Sequence, residues 1–196
     1  MNIVFDNWLE IFGVVSSLIY IWLEIKQRSS LWIVGFISSG VYAVVFLRHG
    51  LYAFSTLYAY YVLASVYGMY CWRFSQKESM SELPISRLTL RTGLVLTFIS
   101  IALFVVIGYV LDNYTDSTAV PPYSEALATA LSMVATWMLA RKILEHWLLW
   151  IFVNFFSSCL YFWCGLYLTG GLFVVYGVLS VVGWVRWKGS VVKGKG

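Results

Sequence analysis

Seven apolar runs of membrane-spanning length set the terms for anything this chain can fold into. They are Trp8–Ile25, Leu31–Leu47, Leu51–Phe74, Leu90–Leu111, Tyr123–Ala140, Ile143–Cys164 and Leu166–Trp187, and each reads as a helix crossing the hydrocarbon core of a bilayer. Composition agrees: 61% of residues are hydrophobic and 11% charged, against roughly 25% charged in soluble domains, and mean hydropathy is +0.80. The expected class is an all-α integral membrane protein with seven transmembrane helices and the lipid bilayer as its first partner. The net charge of +4 is dispersed between the runs rather than gathered on one face, so no nucleic-acid partner is expected. Met1–Glu10 carries Asp6 and Glu10, no Lys or Arg, and no A-x-A-like site after it, which argues against a cleaved signal peptide. Cys71, Cys159 and Cys164 show no metal-like spacing and read as small buried thiols.

Basic residues orient the spans. The loops after spans one, three and five and the C-terminus hold 12 of the 13 Lys and Arg residues, and the opposite side holds only Arg48. The positive-inside rule then puts the C-terminus in the cytoplasm and the N-terminus outside. Ser75–Thr89 and Asp112–Pro122 are the long polar loops, and Gly189–Gly196 reads as a flexible basic tail.

A repeat runs through the sequence. Residues 8–72 shifted by 115 overlie 123–187 without a gap, and 13 of the 65 positions are identical. Trp22, Trp32 and Trp72 meet Trp137, Trp147 and Trp187; Gly50-Leu51-Tyr52 meets Gly165-Leu166-Tyr167; Tyr61, Ser65 and Gly68 meet Tyr176, Ser180 and Gly183. The organisation expected is a three-helix repeat over 1–74, a loop plus linker helix (span four) over 75–122, a second three-helix repeat over 123–188, and a tail over 189–196. This 3+1+3 parallel repeat is SWEET-like, an architecture in which transporters place substrate at the repeat interface. Two halves that merely share a composition are the alternative.

Span six holds an amide at mid-membrane. Trp147, Trp150, Asn154, Ser158 and Tyr161 share one helical face, with Ser157 at its edge. A polar side chain in hydrocarbon turns to the bundle interior, so this stripe reads either as a cavity wall or as glue between packed helices. Span two carries the matching stripe Trp32, Gly35, Ser39, Ala43 and Phe46. No Lys, Arg or His falls near the middle of a span, which disfavours an anionic or phosphorylated ligand. Ten Trp and 14 Tyr offer π faces to a cation instead. Interfacial belts account for many of them, Trp72 and Trp187 included. Trp150, Tyr60, Tyr61 and Tyr176 lie deeper, and a cationic or neutral aromatic solute fits best. Glu10, Glu24 and Glu125 lie near span ends, where carboxylates are ordinarily solvated. Without a deeper acidic group for ion coupling, facilitated diffusion is expected.

These residues carry a resemblance. "WLLW" (147–150) with Asn154, followed by "LYFWCGLYLTGGLFVVYGVLSVVGWVRWK" (160–188), resembles the last two spans of the PnuC-type vitamin transporters, and "LYAFSTLYAYYVLASVYGMYCW" (51–72) resembles their third. The resemblance covers nearly the whole chain. It implies uptake of an unphosphorylated vitamin down its gradient through the bacterial inner membrane, with a cytoplasmic kinase trapping it by phosphorylation. It also allows a homotrimer, which no residue pattern reads out. The expected substrate-binding set is Trp150, Asn154, Trp147, Ser158, Tyr161, Tyr176, Tyr61, Tyr60, Tyr58, Ser39 and Trp32. The nicotinamide riboside branch reads like Y-A-D-x-x-x-Q in span three, whereas here Phe54 and Tyr58 stand at the Asp and Gln positions. "NWLEIFG" (7–13) and "WLEIKQ" (22–27) look more like the thiamine-transporting branch. Thiamine is therefore the expected substrate, with nicotinamide riboside as the alternative.

Other classes fit less well. A retinal-type sensor needs a lysine within its last span, but the first there is Lys188 at its end. A haem protein needs facing axial ligands, and His49 and His146 both sit at span ends. No paired carboxylates or nucleophile-base constellation marks an enzyme. Neither a cofactor nor a metal is expected. A channel stays open as the reading from a different class.

Overall fold

The helices stop where the backbone turns left-handed. In the computed structural model, which describes residues 3–48, 52–74, 83–114 and 120–193, seven helices run α1 Ile3–Ile25, α2 Leu31–Arg48, α3 Tyr52–Phe74, α4 Leu90–Tyr114, α5 Pro122–Ala140, α6 His146–Trp163 and α7 Tyr167–Lys193. After α1, Gln27 takes φ +56°, and after α5, Lys142 takes φ +48°. Each closes its helix in the same way. Gln27 N–H donates to Glu24 O at 2.9 Å and Arg28 N–H to Leu23 O at 2.9 Å; Lys142 N–H donates to Leu139 O at 2.9 Å and Ile143 N–H to Met138 O at 3.0 Å. This paired bonding is the Schellman closure, usually made on glycine. Here two long polar side chains accept the left-handed conformation at positions 115 apart.

The helix boundaries keep the 115-residue offset of the sequence repeat. α1 and α5 end at equivalent residues, α2 and α6 match at both ends, and α3 and α7 begin together. Lys26 lies 4.2 Å over the Trp22 ring, and Arg141 lies 5.8 Å over that of its counterpart Trp137. A cation on an aromatic face at a helix C-terminus is favoured twice, by the ring and by the helix dipole.

The chain divides into two units, 1–82 and 83–196. The first holds α1, α2 and α3, with α2 packed on both neighbours. In the second, α4 packs on α5, α5 on α6 and α6 on α7. The fourth helix, read from sequence as a linker, thus shares a core with the second repeat. Leu96, Val134, Met138 and Ile143 form its centre, with Leu88, Leu103, Trp137 and Leu149 packed around them. An extended strap before α4 ties in as well. Ser86 N–H donates to Lys142 O at 2.9 Å, Leu144 N–H donates to Ser86 O at 2.9 Å, and Leu88 N–H donates to Glu145 Oε2 at 2.8 Å.

Among the described residues three helices, α2, α4 and α7, are long and apolar enough to cross a membrane on length and composition alone, and Ile11–Ile25 of α1 is a shorter apolar stretch. Large apolar side chains crowd the outer faces: Phe98 of α4 is 72% exposed and Leu168 of α7 87%. Such faces suit lipid rather than water.

Four expectations need correction. α7 continues to Lys193, so most of the segment read as a flexible tail is helical; residues 194–196 lie outside the described residues. Trp72 and Trp187, read as interfacial, are buried by partners described below. Glu24, expected in solvent, is 3% exposed, enclosed at the end of α1; Glu10's side chain lies outside the described residues. Of the three cysteines only Cys71 is buried, and Cys159 is exposed on the outer face of α6.

Candidate functional site

α6 turns its polar stripe inward, as its spacing predicts. Trp147, Asn154, Ser157 and Ser158 are buried and Trp150 and Tyr161 half-buried, while Leu148, Phe152, Phe155 and Phe162 are exposed on the other faces. Within this stripe the roles divide by depth.

At the charged end, Trp147 is enclosed. Its indole meets Trp187 edge-on at 5.8 Å and 80° and lies against Gly183, where a Cβ would collide with the ring. His146 packs on both tryptophans, at 4.7 and 4.9 Å, and its Nδ1 pairs with Ile143 O at 2.7 Å. The first unit repeats the arrangement: Trp32 meets Trp72 at 5.7 Å and 86° and lies on Gly68. Trp147 and Trp32 were expected to face a ligand. At 0% and 1% exposure their faces meet glycine and tryptophan, while each indole Nε1–H is buried without a partner among the described residues.

Deeper, Asn154 Nδ2 donates to Ser180 Oγ at 3.1 Å, and Ser180 Oγ donates to Tyr176 O at 2.8 Å. Because the Ser180 proton is committed to that carbonyl, its oxygen can only accept from Asn154. This network assigns the amide orientation: NH₂ towards α7, Oδ1 away from it. Among the described residues Oδ1 accepts no hydrogen bond. One turn away, the Trp150 Nε1–H is buried and without a partner among the described residues. Trp150 shares this unsatisfied donor, uncommon in a folded protein, with Trp32 and Trp147, and differs from them in lying about one helical turn from the open Asn154 acceptor.

Further along, Ser158 Oγ donates to Gly170 O at 2.9 Å. The equivalent contact in the first unit is reversed, Ser55 Oγ donating to Ala43 O at 3.0 Å. These hydroxyls hold helix to helix. Tyr161 packs on Phe173 at 5.1 Å, and Phe173 on Tyr176 at 5.9 Å and 75°. Phe46, Tyr58 and Tyr61 copy this in the first unit, at 5.3 Å and then 6.0 Å and 74°, with Phe and Tyr exchanged at the first two positions. Tyr58 also packs on Tyr42 at 5.2 Å, and Tyr60 on Tyr61 at 5.5 Å.

One departure from the repeat is informative. Trp150 corresponds to Gly35, and the space over Gly35 is filled by Ser65 Oγ and the Tyr20 ring, which would lie 2.9 and 3.0 Å from an added Cβ. The counterpart of Tyr20 is Ala135, which is fully buried. The large ring comes from the first helix of one repeat and from the second helix of the other. Ser39, opposite Asn154 in the repeat, is buried and too short to copy the amide. Sequence reasoning missed Tyr20 and Ser180 as partners, although Ser180 was marked by its identity with Ser65.

A crystal structure of the vitamin B3 transporter PnuC matches with a TM-score of 0.72 at 24% identity, covering 96% of this chain and 83% of that one, which shows the fold. The nicotinamide riboside transporter PnuC of Escherichia coli (strain K12) is 24% identical over 94% of this chain and 86% of its own length. The PnuC of Shigella flexneri matches to the same extent. The profile of the nicotinamide mononucleotide transporter family spans residues 7–189. The chain therefore belongs to that family, the membrane transporters of the PnuC type.

Proposed function

We propose that the protein carries an unphosphorylated, flat, cationic aromatic vitamin across the bacterial inner membrane by facilitated diffusion, and that nicotinamide riboside is that vitamin. The observation that carries this reading is the pair on α6: the unpartnered donor of Trp150 and the open acceptor of Asn154, about 6 Å apart at Cβ as neighbours one turn apart on a helix. A primary carboxamide presents the complement, a carbonyl beside an NH₂, while the indole face suits a pyridinium ring. The relatives' names supply the choice of vitamin and depart from the thiamine reading made from sequence.

Thiamine remains the second reading because of α3. Phe54 packs on Phe46 at 5.4 Å and Tyr58 on the same ring at 5.3 Å, so an aromatic cluster occupies the positions where an acid and an amide would read a ribose and a carboxamide. An aminopyrimidine also offers an acceptor beside an NH₂, so α6 accommodates it. The N-terminus outside, the C-terminus in the cytoplasm, trapping by a cytoplasmic kinase and assembly as a homotrimer belong to the same proposal. Calorimetric titration of the purified protein with each vitamin tests it. Tighter binding of nicotinamide riboside is the expected result; tighter binding of thiamine reverses the choice, and saturable binding of neither removes the transporter reading in favour of a channel.

A further inference from the structure

α5 carries a second polar stripe, in the same unit as the Trp150–Asn154 pair. Glu125, Thr129, Ser132 and Thr136 recur at intervals of four, three and four residues, which sets them on one helical face. Leu127, Leu131 and Val134, which line an apolar groove against α4, lie on the opposite face. Ser132 and Thr136 are buried. Ser132 Oγ donates to Ala128 O and Thr136 Oγ1 to Ser132 O, both at 2.8 Å. With their protons committed, these hydroxyls offer only lone pairs to a solute.

Glu125 ends this stripe, in the first turn of α5. α5 and α6 pack together across a short turn, so the first turn of α5 lies beside the last turn of α6. There the half-buried Glu125 carboxylate is close enough to the Tyr161 hydroxyl for its charge to act on it. Neither group makes a hydrogen bond or ion pair among the described residues, and neither is sealed from the surface. From Tyr161 the rings of Phe173 and Tyr176 lead inward, in steps of 5.1 and 5.9 Å. The Tyr176 carbonyl takes the Ser180 hydroxyl that holds Asn154. Asn154 lies seven residues before Tyr161 on α6, about 10 Å along the helix. The carboxylate, the lone pairs and the π faces all favour a positive charge. A carboxylate in the first turn of a helix also suits the helix dipole, but that role would be blind to the charge of a solute.

We propose that Glu125 and Tyr161 form an entry subsite that holds the vitamin's positive charge before its ring reaches Trp150 and Asn154, and that Glu125 makes the carrier prefer a cation to an uncharged solute of the same shape. The proposal rests on the reading of the cargo as a cationic vitamin. Initial uptake into proteoliposomes holding the full-length protein tests it, each vitamin being paired with an uncharged near-isostere: the dihydropyridine form of nicotinamide riboside, and thiamine with thiophene in place of thiazolium. The wild type is expected to show the lower KM for the charged member. Glu125→Gln should raise that KM about fivefold and leave that of the uncharged member unchanged, while Glu125→Asp, which keeps the charge, should retain the preference. Added salt should erode the wild-type preference. An equal rise in both KM values, or a preference undiminished in Glu125→Gln, overturns the subsite, and the equal rise assigns Glu125 to the helix dipole. Saturable wild-type uptake with no preference for the charged member instead overturns the cationic reading, and the subsite with it. If Glu125→Gln does not fold, the salt dependence decides: a wild-type preference insensitive to salt overturns the proposal.

Discussion

At Asn154 the two halves of a carboxamide are divided between two tasks. Ser180 takes the NH₂ and thereby directs Oδ1 away from α7, so the readings of this residue as helix glue and as ligand contact do not compete. Asn154→Leu keeps the volume but removes both groups, and should weaken vitamin binding by about 1–3 kcal/mol. Ser180→Ala leaves Oδ1 present but frees the amide to rotate, and should cost less, about 0.5–1.5 kcal/mol. Trp150→Ala removes the donor and the ring face together and should exceed both. Titration with each vitamin checks the order, with thermal unfolding confirming that the variants fold; Ser180→Ala weaker than Asn154→Leu would reverse the assigned roles. Helical spacing alone made this stripe legible in the sequence. It could not separate Trp147 from Trp150, because the two share a face and only Gly183, on another helix, encloses the first.

The helix pairs α2–α3 and α6–α7 are two versions of one packing unit. Each seats a tryptophan on a glycine and closes it with a second tryptophan edge-on, at 5.7 and 5.8 Å. Gly183→Ala places a Cβ inside the Trp147 ring. Since Trp187 and His146 block retreat, overpacking should cost about 1–3 kcal/mol. Gly68→Ala should cost a similar amount, because the Trp32 ring lies over it in the same way. Trp187→Ala, which an interfacial residue would tolerate, should instead destabilise the protein by about 3–5 kcal/mol. Thermal or denaturant unfolding in detergent measures all three, and unfolding unchanged by Trp187→Ala would return that residue to the interface. The ends of α2 and the starts of α3 and α7 were readable to within a residue, since a glycine turn, Gly50 or Gly165, interrupts the apolar run there. The left-handed closures at Gln27 and Lys142 were not, because neither residue type signals positive φ. Nor was the placement of α4, whose apolar surface is continuous on all sides and does not reveal which face meets α5.

For the molecule as a whole, the question is whether transport is driven by anything other than the vitamin's own gradient. A coupled carrier needs an ionisable group that changes charge or coordination within the membrane. Among the described residues the buried Asp, Glu, Lys, Arg and His side chains are Glu24, Lys142 and His146, and all three lie at helix ends: Glu24 in the last turn of α1, Lys142 in the turn after α5, His146 at the first residue of α6. None is at mid-span, where Asn154 and its neighbours are neutral. Proteoliposomes should therefore take up vitamin at the same initial rate with and without proton or sodium gradients, and internal vitamin should rise only to the external concentration. Adding the vitamin's kinase and ATP inside the vesicles should convert equilibration into accumulation, because the phosphorylated product has no basic group on the α6 stripe to bind and leave by. Concentrative uptake driven by either ion without the kinase would identify coupling, and Glu24→Gln would then be the first variant to test, as the buried carboxylate among the described residues of the first repeat.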